Sequence, residues 1–188
     1  MTFLTVAVTG VAALSLVNSW LIVAMARRLR EHGEQLARRR PGPRPAVGLP
    51  PGTLLPEFTV TTVTGAIVAA ADLRGRPGII GFFSPGCAPC HEQIPAFAAL
   101  ARTLPGNAAR PLAVICGGRG AARDTDDGAG HLASQLAGAA HVVLEPSAGA
   151  AAAALAVSGF PTFMLLDAGG RVAAGAHAVA AIAGLVPA

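Results

Sequence analysis

Cys87-Ala88-Pro89-Cys90, set directly after the apolar run Ile79-Ile80-Gly81-Phe82-Phe83, is the arrangement in this chain with the plainest chemistry. Two thiols at this spacing, where a buried strand gives way to a helix, can close a disulfide and open it again. If a helix begins near Ala88, Cys87 sits at its N-terminus. There the unpaired backbone N–H groups and the positive end of the helix dipole favour thiolate over thiol, and this sulfur can attack at neutral pH. Cys90, one turn on, points back toward the first sulfur from a more sheltered position and acts as the resolving thiol. Pro89 suits the first turn of a helix, because the N–H it lacks has no partner there. His91 follows in the same turn; when protonated it could stabilise the Cys87 thiolate, and its plain reading is a solvated first-turn residue. The competing chemistry is half of a zinc site. That needs four ligands, and Cys116, His32, His91, His131 and His141 are scattered rather than paired, so neither a metal nor another cofactor is assigned.

The elements that must position this pair follow from pattern. Phe58 to Val63 and Ala66 to Val68 read as a hairpin around Thr64-Gly65, with Asp72-Leu73-Arg74-Gly75 a turn before the central strand. Gly78 to Phe83 is continuously apolar, as a strand buried on both faces requires. Ala88 to Thr103 reads as a helix interrupted at Pro95, and Leu112 to Cys116 as the next buried strand. Residues 117 to 130 read as a loop, His131 to Ala137 as a short helix, Val142 to Leu144 as a strand and Ala148 to Val157 as an Ala-rich helix. Thr162 to Asp167 turns through Ala168-Gly169-Gly170 into a strand over Arg171 to Ala174, and Ala178 to Leu185 closes the fold as a helix. This alternation predicts an α/β sandwich with a mixed central sheet. Cys116, ending Val114-Ile115-Cys116, reads as a buried inert thiol, with a third redox thiol as the alternative. Asp124, Asp126 and Asp127 lack the glycine and distal Glu of a calcium loop and read as solvated.

Composition separates an appendage from this domain. The stretch 2–26 holds no charged side chain, and as a helix residues 3–26 would run about 36 Å, enough to cross a hydrocarbon core of about 30 Å. A transmembrane anchor over 1–26 is therefore expected. A cleaved signal peptide at Ala24-Met25-Ala26 is the rival, against which stand the missing basic n-region and the length of the apolar run. Arg27, Arg28, Arg30, Arg38, Arg39, Arg40 and Arg44 come next, half of the chain's 14 basic side chains, and they account for its net charge of +4. The cluster suits anionic lipid headgroups, and nucleic-acid binding finds no support in the near-neutral remainder. The prolines of Pro41-Gly42-Pro43-Arg44-Pro45 then make a stiff spacer, so that 27–49 is a juxtamembrane segment and linker and 50–188 the folded domain.

Three separated stretches carry a resemblance. Phe82-Phe83-Ser84-Pro85-Gly86-Cys87-Ala88-Pro89-Cys90-His91-Glu92-Gln93-Ile94-Pro95 is similar to the active-site strand and helix of the thioredoxin superfamily, with Pro95 at the place of its helix-kinking proline. Ser158-Gly159-Phe160-Pro161-Thr162-Phe163-Met164-Leu165-Leu166-Asp167 resembles the segment bearing that superfamily's cis-proline. Leu55-Pro56-Glu57-Phe58-Thr59-Val60-Thr61 resembles the opening strand of its TlpA-like and peroxiredoxin-like members. The chain as a whole resembles the membrane-tethered TlpA-like disulfide oxidoreductases, and more narrowly the MauD-like accessory proteins of methylamine dehydrogenase maturation. The resemblance implies a thioredoxin-like fold, protein thiol or disulfide clients, and a membrane or soluble redox partner. Pro161, if cis, brings the backbone of Phe160 against the Cys87 sulfur, so that Phe160, Pro161 and Thr162 offer a client an extended edge. An ordinary trans loop proline is the alternative. Two departures stand out. Gly86 occupies the place of the Trp before the first Cys, the only Trp being Trp20, and Gly81 occupies the place of a buried Asp that accepts a proton from the second Cys. Glu145 or a water then becomes a candidate acceptor for Cys90.

The expected function is membrane-tethered thiol–disulfide exchange with protein clients. A peroxiredoxin-like peroxidase is the second enzyme reading, and a metallochaperone or scaffold on the same fold the non-enzymatic one. The resemblance puts the catalytic domain of a single-pass membrane protein outside the cytoplasm, whereas the Arg cluster, by the positive-inside rule, puts it inside.

Overall fold

The computed structural model describes residues 47–117 and 124–186, together with residues 15, 18–20 and 25, which are helical. The chain divides into two compact units, Met1–Pro45 and Ala46–Ala188. No helix among the described residues is long and apolar enough to cross a membrane. The expected anchor over 1–26 and the Arg-rich segment fall, but for those few residues and the linker's last three, outside the described residues.

In the second unit the elements run β1 (Thr59–Thr61), β2 (Ile67–Ala69), a 3-10 turn (Ala70–Leu73), β3 (Gly78–Phe83), α1 (Ala88–Thr103), β4 (Leu112–Cys116), α2 (Asp124–Leu136), β5 (His141–Glu145), α3 (Ala150–Ala154), β6 (Thr162–Leu166), β7 (Val172–Ala176) and α4 (Ala180–Ala183). β1 and β2 form the expected antiparallel hairpin. The other five strands make one mixed sheet in the order β5-β4-β3-β6-β7. β3, β4 and β5 are parallel, and β6 and β7 are antiparallel to their neighbours. Every residue of β3 is buried, as the centre of a covered sheet demands.

Alternate residues of each strand fall into two core clusters, one on each sheet face. Ile79, Phe83, Ala113, Ile115 and Phe163 pack under α1, α2 and α4 through Cys90, Ile94, Phe97, Leu132, Leu136 and Ile182. Ile80, Phe82, Val114, Cys116, Val143 and Met164 pack on the opposite face, under α3 and the N-terminal hairpin. This is a three-layer sandwich of thioredoxin-like architecture, as expected.

Several elements differ from expectation, among them β7, which runs on to Ala176, and α4, which spans only Ala180–Ala183. α1 runs unbroken through Pro95, which lies on its exposed face. The His91 carbonyl that Pro95 leaves without a donor is therefore open to water, and the helix needs no break. α2 begins at Asp124, taking in Asp124, Asp126 and Asp127 where a loop was expected, because Asp is favoured in a first helical turn as well as in loops. α3 is half the expected length. It stops because Ala156 adopts φ 52°, with Ala156 N–H bonding to Ala153 O and Val157 N–H to Ala152 O, a Schellman stop with Ala where Gly is usual. Ala156→Gly should relieve the left-handed strain of this exposed position and raise stability by about 1 kcal/mol, read as a higher urea midpoint at unchanged slope.

Candidate active site

The Ser84–Cys87 loop leaves the C-terminal end of β3 and feeds α1. Cys87 caps that helix in extended conformation, at φ −99° and ψ 102°, and its Sγ accepts the Cys90 N–H at 3.3 Å. Pro89 lies in the first turn, as its missing N–H predicts. That turn carries no acidic side chain to oppose a negative sulfur. Cys87 and Cys90 are joined in a disulfide with Cα atoms 5.3 Å apart. Cys87 is half-buried while Cys90 is 0 % exposed, so an incoming group reaches the first sulfur only. His91 is exposed and its Nε2–H donates to Pro85 O at 2.9 Å. It staples the loop that precedes Cys87.

β6 starts at Thr162, paired with Phe82 near the end of β3. The residues before Thr162 therefore emerge at the same end of the sheet as the Cys87 loop. The Phe160–Pro161 bond there is cis. Phe160, like Cys87, is partly buried against the core cluster that contains Cys90. Thr162 is buried, its Oγ1 donating to Gly159 O at 2.8 Å, so its side chain closes the loop.

Glu145, considered as a proton acceptor for Cys90, is on the other side of the sheet. It pairs in register with Cys116, whose cluster is opposite that of Cys90. Its carboxylate takes the Ala151 N–H at 3.0 Å and the Ala152 N–H at 3.4 Å, capping α3. The other candidate place, position 81, is filled by aromatic rings. A Cβ on Gly81 would come within 2.8 Å of Phe97 Cε2 and 2.9 Å of Phe83 Cε2. Phe83, Phe97 and Phe163 pack there edge-on and stacked at centroid distances of 5.4 to 5.8 Å. Gly81 is thus the residue that makes room for an apolar cluster where related folds keep a carboxylate.

Cys116 is 1 % exposed. Burial, and after it the Glu145 carboxylate, push its thiol from 9.0 up to about 12. It is an inert thiol on the far sheet face. Its folded-state value lies above the unfolded one, so the stability it confers is complete below about pH 9 and is lost as pH rises toward 12. The chain has no Tyr and no Lys, and the other two cysteines are bonded to each other, so Cys116 governs that window. Urea unfolding of the oxidised protein between pH 9 and 11 should show stability falling by up to about 1.4 kcal/mol per pH unit, a slope that Cys116→Ala should flatten.

Two residues to which the sequence reading gave no role adjoin the site. His177 Nδ1–H donates to Pro161 O at 2.7 Å, and Gln93 Oε1 accepts the Val179 N–H at 2.9 Å. Among the described residues no group of three His, Cys, Asp or Glu side chains is placed to hold a metal ion. A groove of about 440 Å³ between β1 and β5 is lined by neither cysteine of the pair nor by His91, Phe160, Pro161 or Thr162.

Residues 51–174 match the AhpC/TSA family. The chain belongs to the AhpC/TSA family. Over 49 residues it is 35% identical to the soluble secreted antigen MPT53 of Mycobacterium tuberculosis, a match spanning 26% of this chain and 28% of that one. Its fold is similar to the thioredoxin domain of a thiol-disulfide oxidoreductase from Bacteroides vulgatus, with TM-score 0.57 and 18% identity over 74% of this chain and 99% of that one. It is also similar to a secreted Mycobacterium tuberculosis disulfide oxidoreductase homologous to DsbE, with TM-score 0.55 and 20% identity over 69% and 93% of the two chains. Within this family fold, a half-buried sulfur at a helix N-terminus is bonded to a fully buried one.

Proposed function

We propose that this protein is a membrane-tethered, TlpA-like thiol–disulfide oxidoreductase that exchanges disulfides with protein clients through Cys87 and Cys90. The observation that carries the reading is the asymmetry of the pair, one sulfur reachable and helix-capped, the other sealed. In the reducing direction the Cys87 thiolate attacks a client disulfide, forming a mixed disulfide and releasing one client thiolate. Cys90 then loses its proton to water and attacks the Cys87 sulfur, which expels the second client thiolate. The client gains two electrons, and Cys87 and Cys90 end as the disulfide. In the oxidising direction a client thiolate attacks Cys87 of the disulfide and the same steps run backwards. A membrane or soluble redox partner restores the starting state. Phe160 presents its backbone beside the Pro161 bond, which supports docking of the client as an added strand.

The tether rests on the uncharged stretch 2–26 and the Arg cluster after it. We place the catalytic domain outside the cytoplasm, in line with the kinds of protein it resembles; a reporter active only after export, fused at the C-terminus, tests this and should be active. The entry Ser84-Pro85-Gly86-Cys87 and the N-terminal span also support the narrower likeness to MauD-like accessory proteins.

The peroxidase reading has family membership behind it, yet among the described residues no arginine hydrogen-bonds to Cys87, whose Sγ accepts from the Cys90 N–H, and Arg74, Arg110 and Arg171 bond elsewhere, to Glu57, Ala137 O and Gly52 O. Peroxide turnover retained in Cys90→Ser would favour it. A metallochaperone would bind metal tightly through Cys87. The deciding assay is insulin reduction in the presence of dithiothreitol: the full chain should accelerate it and Cys87→Ser should not. Equal rates with and without the protein overturn the exchange reading.

A further inference from the structure

The loop that would present Phe160 is shaped by two side chains from β6 and from just beyond β7. Thr162 Oγ1 donates to Gly159 O at 2.8 Å, and His177 Nδ1–H donates to Pro161 O at 2.7 Å. The carbonyls on either side of Phe160 are thereby taken. Pro161 has no N–H to offer, and Phe160 itself makes no backbone hydrogen bond outside the ladders among the described residues. One residue's N–H and C=O are left free between two occupied acceptors. His177 also lies alongside the loop, since a Cβ at Gly159 would sit 4.0 Å from its Cε1. Two residues on, the Val179 N–H bonds to Gln93 Oε1 at 2.9 Å, and Gln93 is one turn after Cys90 on α1. The segment 177–179 therefore joins the loop to the helix that carries the thiols, and Val179, 3 % exposed, anchors it in the core.

We propose that His177 is a positioning residue that sets the register of client docking. By holding Pro161 O it leaves Phe160, beside the Pro161 bond, with its N–H and C=O open to a client strand, and the Gln93 bond fixes that position relative to Cys87. A ring nitrogen that faces a carbonyl must carry the proton, so the contact holds Nδ1 as the donor. The proposal rests on the exchange reading above.

The test compares the full chain with His177→Leu, which keeps bulk and loses the donor, and His177→Asn, whose amide N–H can stand where Nδ1–H does. Two substrates are used: insulin, whose backbone can pair with Phe160, and bis(2-hydroxyethyl) disulfide, which has no peptide group to pair. His177→Leu should raise the KM for insulin about five- to tenfold, the effect of one net hydrogen bond, with kcat, the Cys87–Cys90 reduction potential and turnover of the small disulfide unchanged. His177→Asn should restore the insulin KM. If His177→Leu matches wild type on insulin, or slows both substrates alike with a shifted potential, the positioning role is wrong while exchange stands. If wild type acts on neither substrate, the exchange reading fails and takes this proposal with it.

Discussion

Cys90→Ser should leave Cys87 able to attack a client disulfide and unable to let it go. In the native pair the second sulfur is bonded to the first, with Cα atoms 5.3 Å apart on one helical turn. That proximity makes resolution intramolecular, and well-oriented groups reach effective molarities that no free thiol at millimolar concentration approaches. Resolution by external thiol should therefore be at least about 10³-fold slower in the variant, and a Cys87–client adduct should accumulate by mass spectrometry while turnover stops. Cys87→Ser should abolish adduct and turnover together, because Cys90 is 0 % exposed and cannot meet a client itself. An adduct on Cys90 in that variant would mean that burial does not assign the roles.

The second large effect concerns position 81. Gly81→Asp, which restores the residue type found there in thioredoxins, should destabilise this protein by about 3 kcal/mol or more. The Cβ alone meets Phe97 and Phe83 at 2.8 and 2.9 Å, and the carboxylate would enter an apolar cluster of three phenylalanines without a partner. Gly81→Ala isolates the steric part and should cost about 1–3 kcal/mol. Both are read from urea midpoints of the oxidised protein. A well-folded Gly81→Asp with faster resolution would mean that the cluster yields and that the account of Cys90 losing its proton to water is wrong.

Much of this was legible in the residues because local pattern and tertiary role agree. β3, α1 and β4 take their expected limits, since an unbroken apolar run, a proline in a first turn and a second apolar run admit few alternatives. The cis bond at Pro161 follows the likeness of its segment. Misreadings arose where one residue type suits two structures. Asp124, Asp126 and Asp127 favour loops and first helical turns alike, and Ala156 gives no sign that it will take the place of a stopping glycine. Glu145 was misplaced because position on β5 does not declare which sheet face it joins until the register with Cys116 is known. His177 went unnoticed for a similar reason. Extending the β6–β7 hairpin past Phe163 paired with Ala176 brings 177 beside the start of β6, but β7 had been expected to end at Ala174.

The most direct test of the central claim is trapping in the native host. Full-length Cys90→Ser, recovered with its thiols blocked, should carry mixed disulfides to protein clients, every one mapped to Cys87 and none to the buried Cys116. They should dissolve on reduction. Absence of any Cys87-linked protein, under conditions where the variant is folded and present, would contradict thiol–disulfide exchange as the work of this pair.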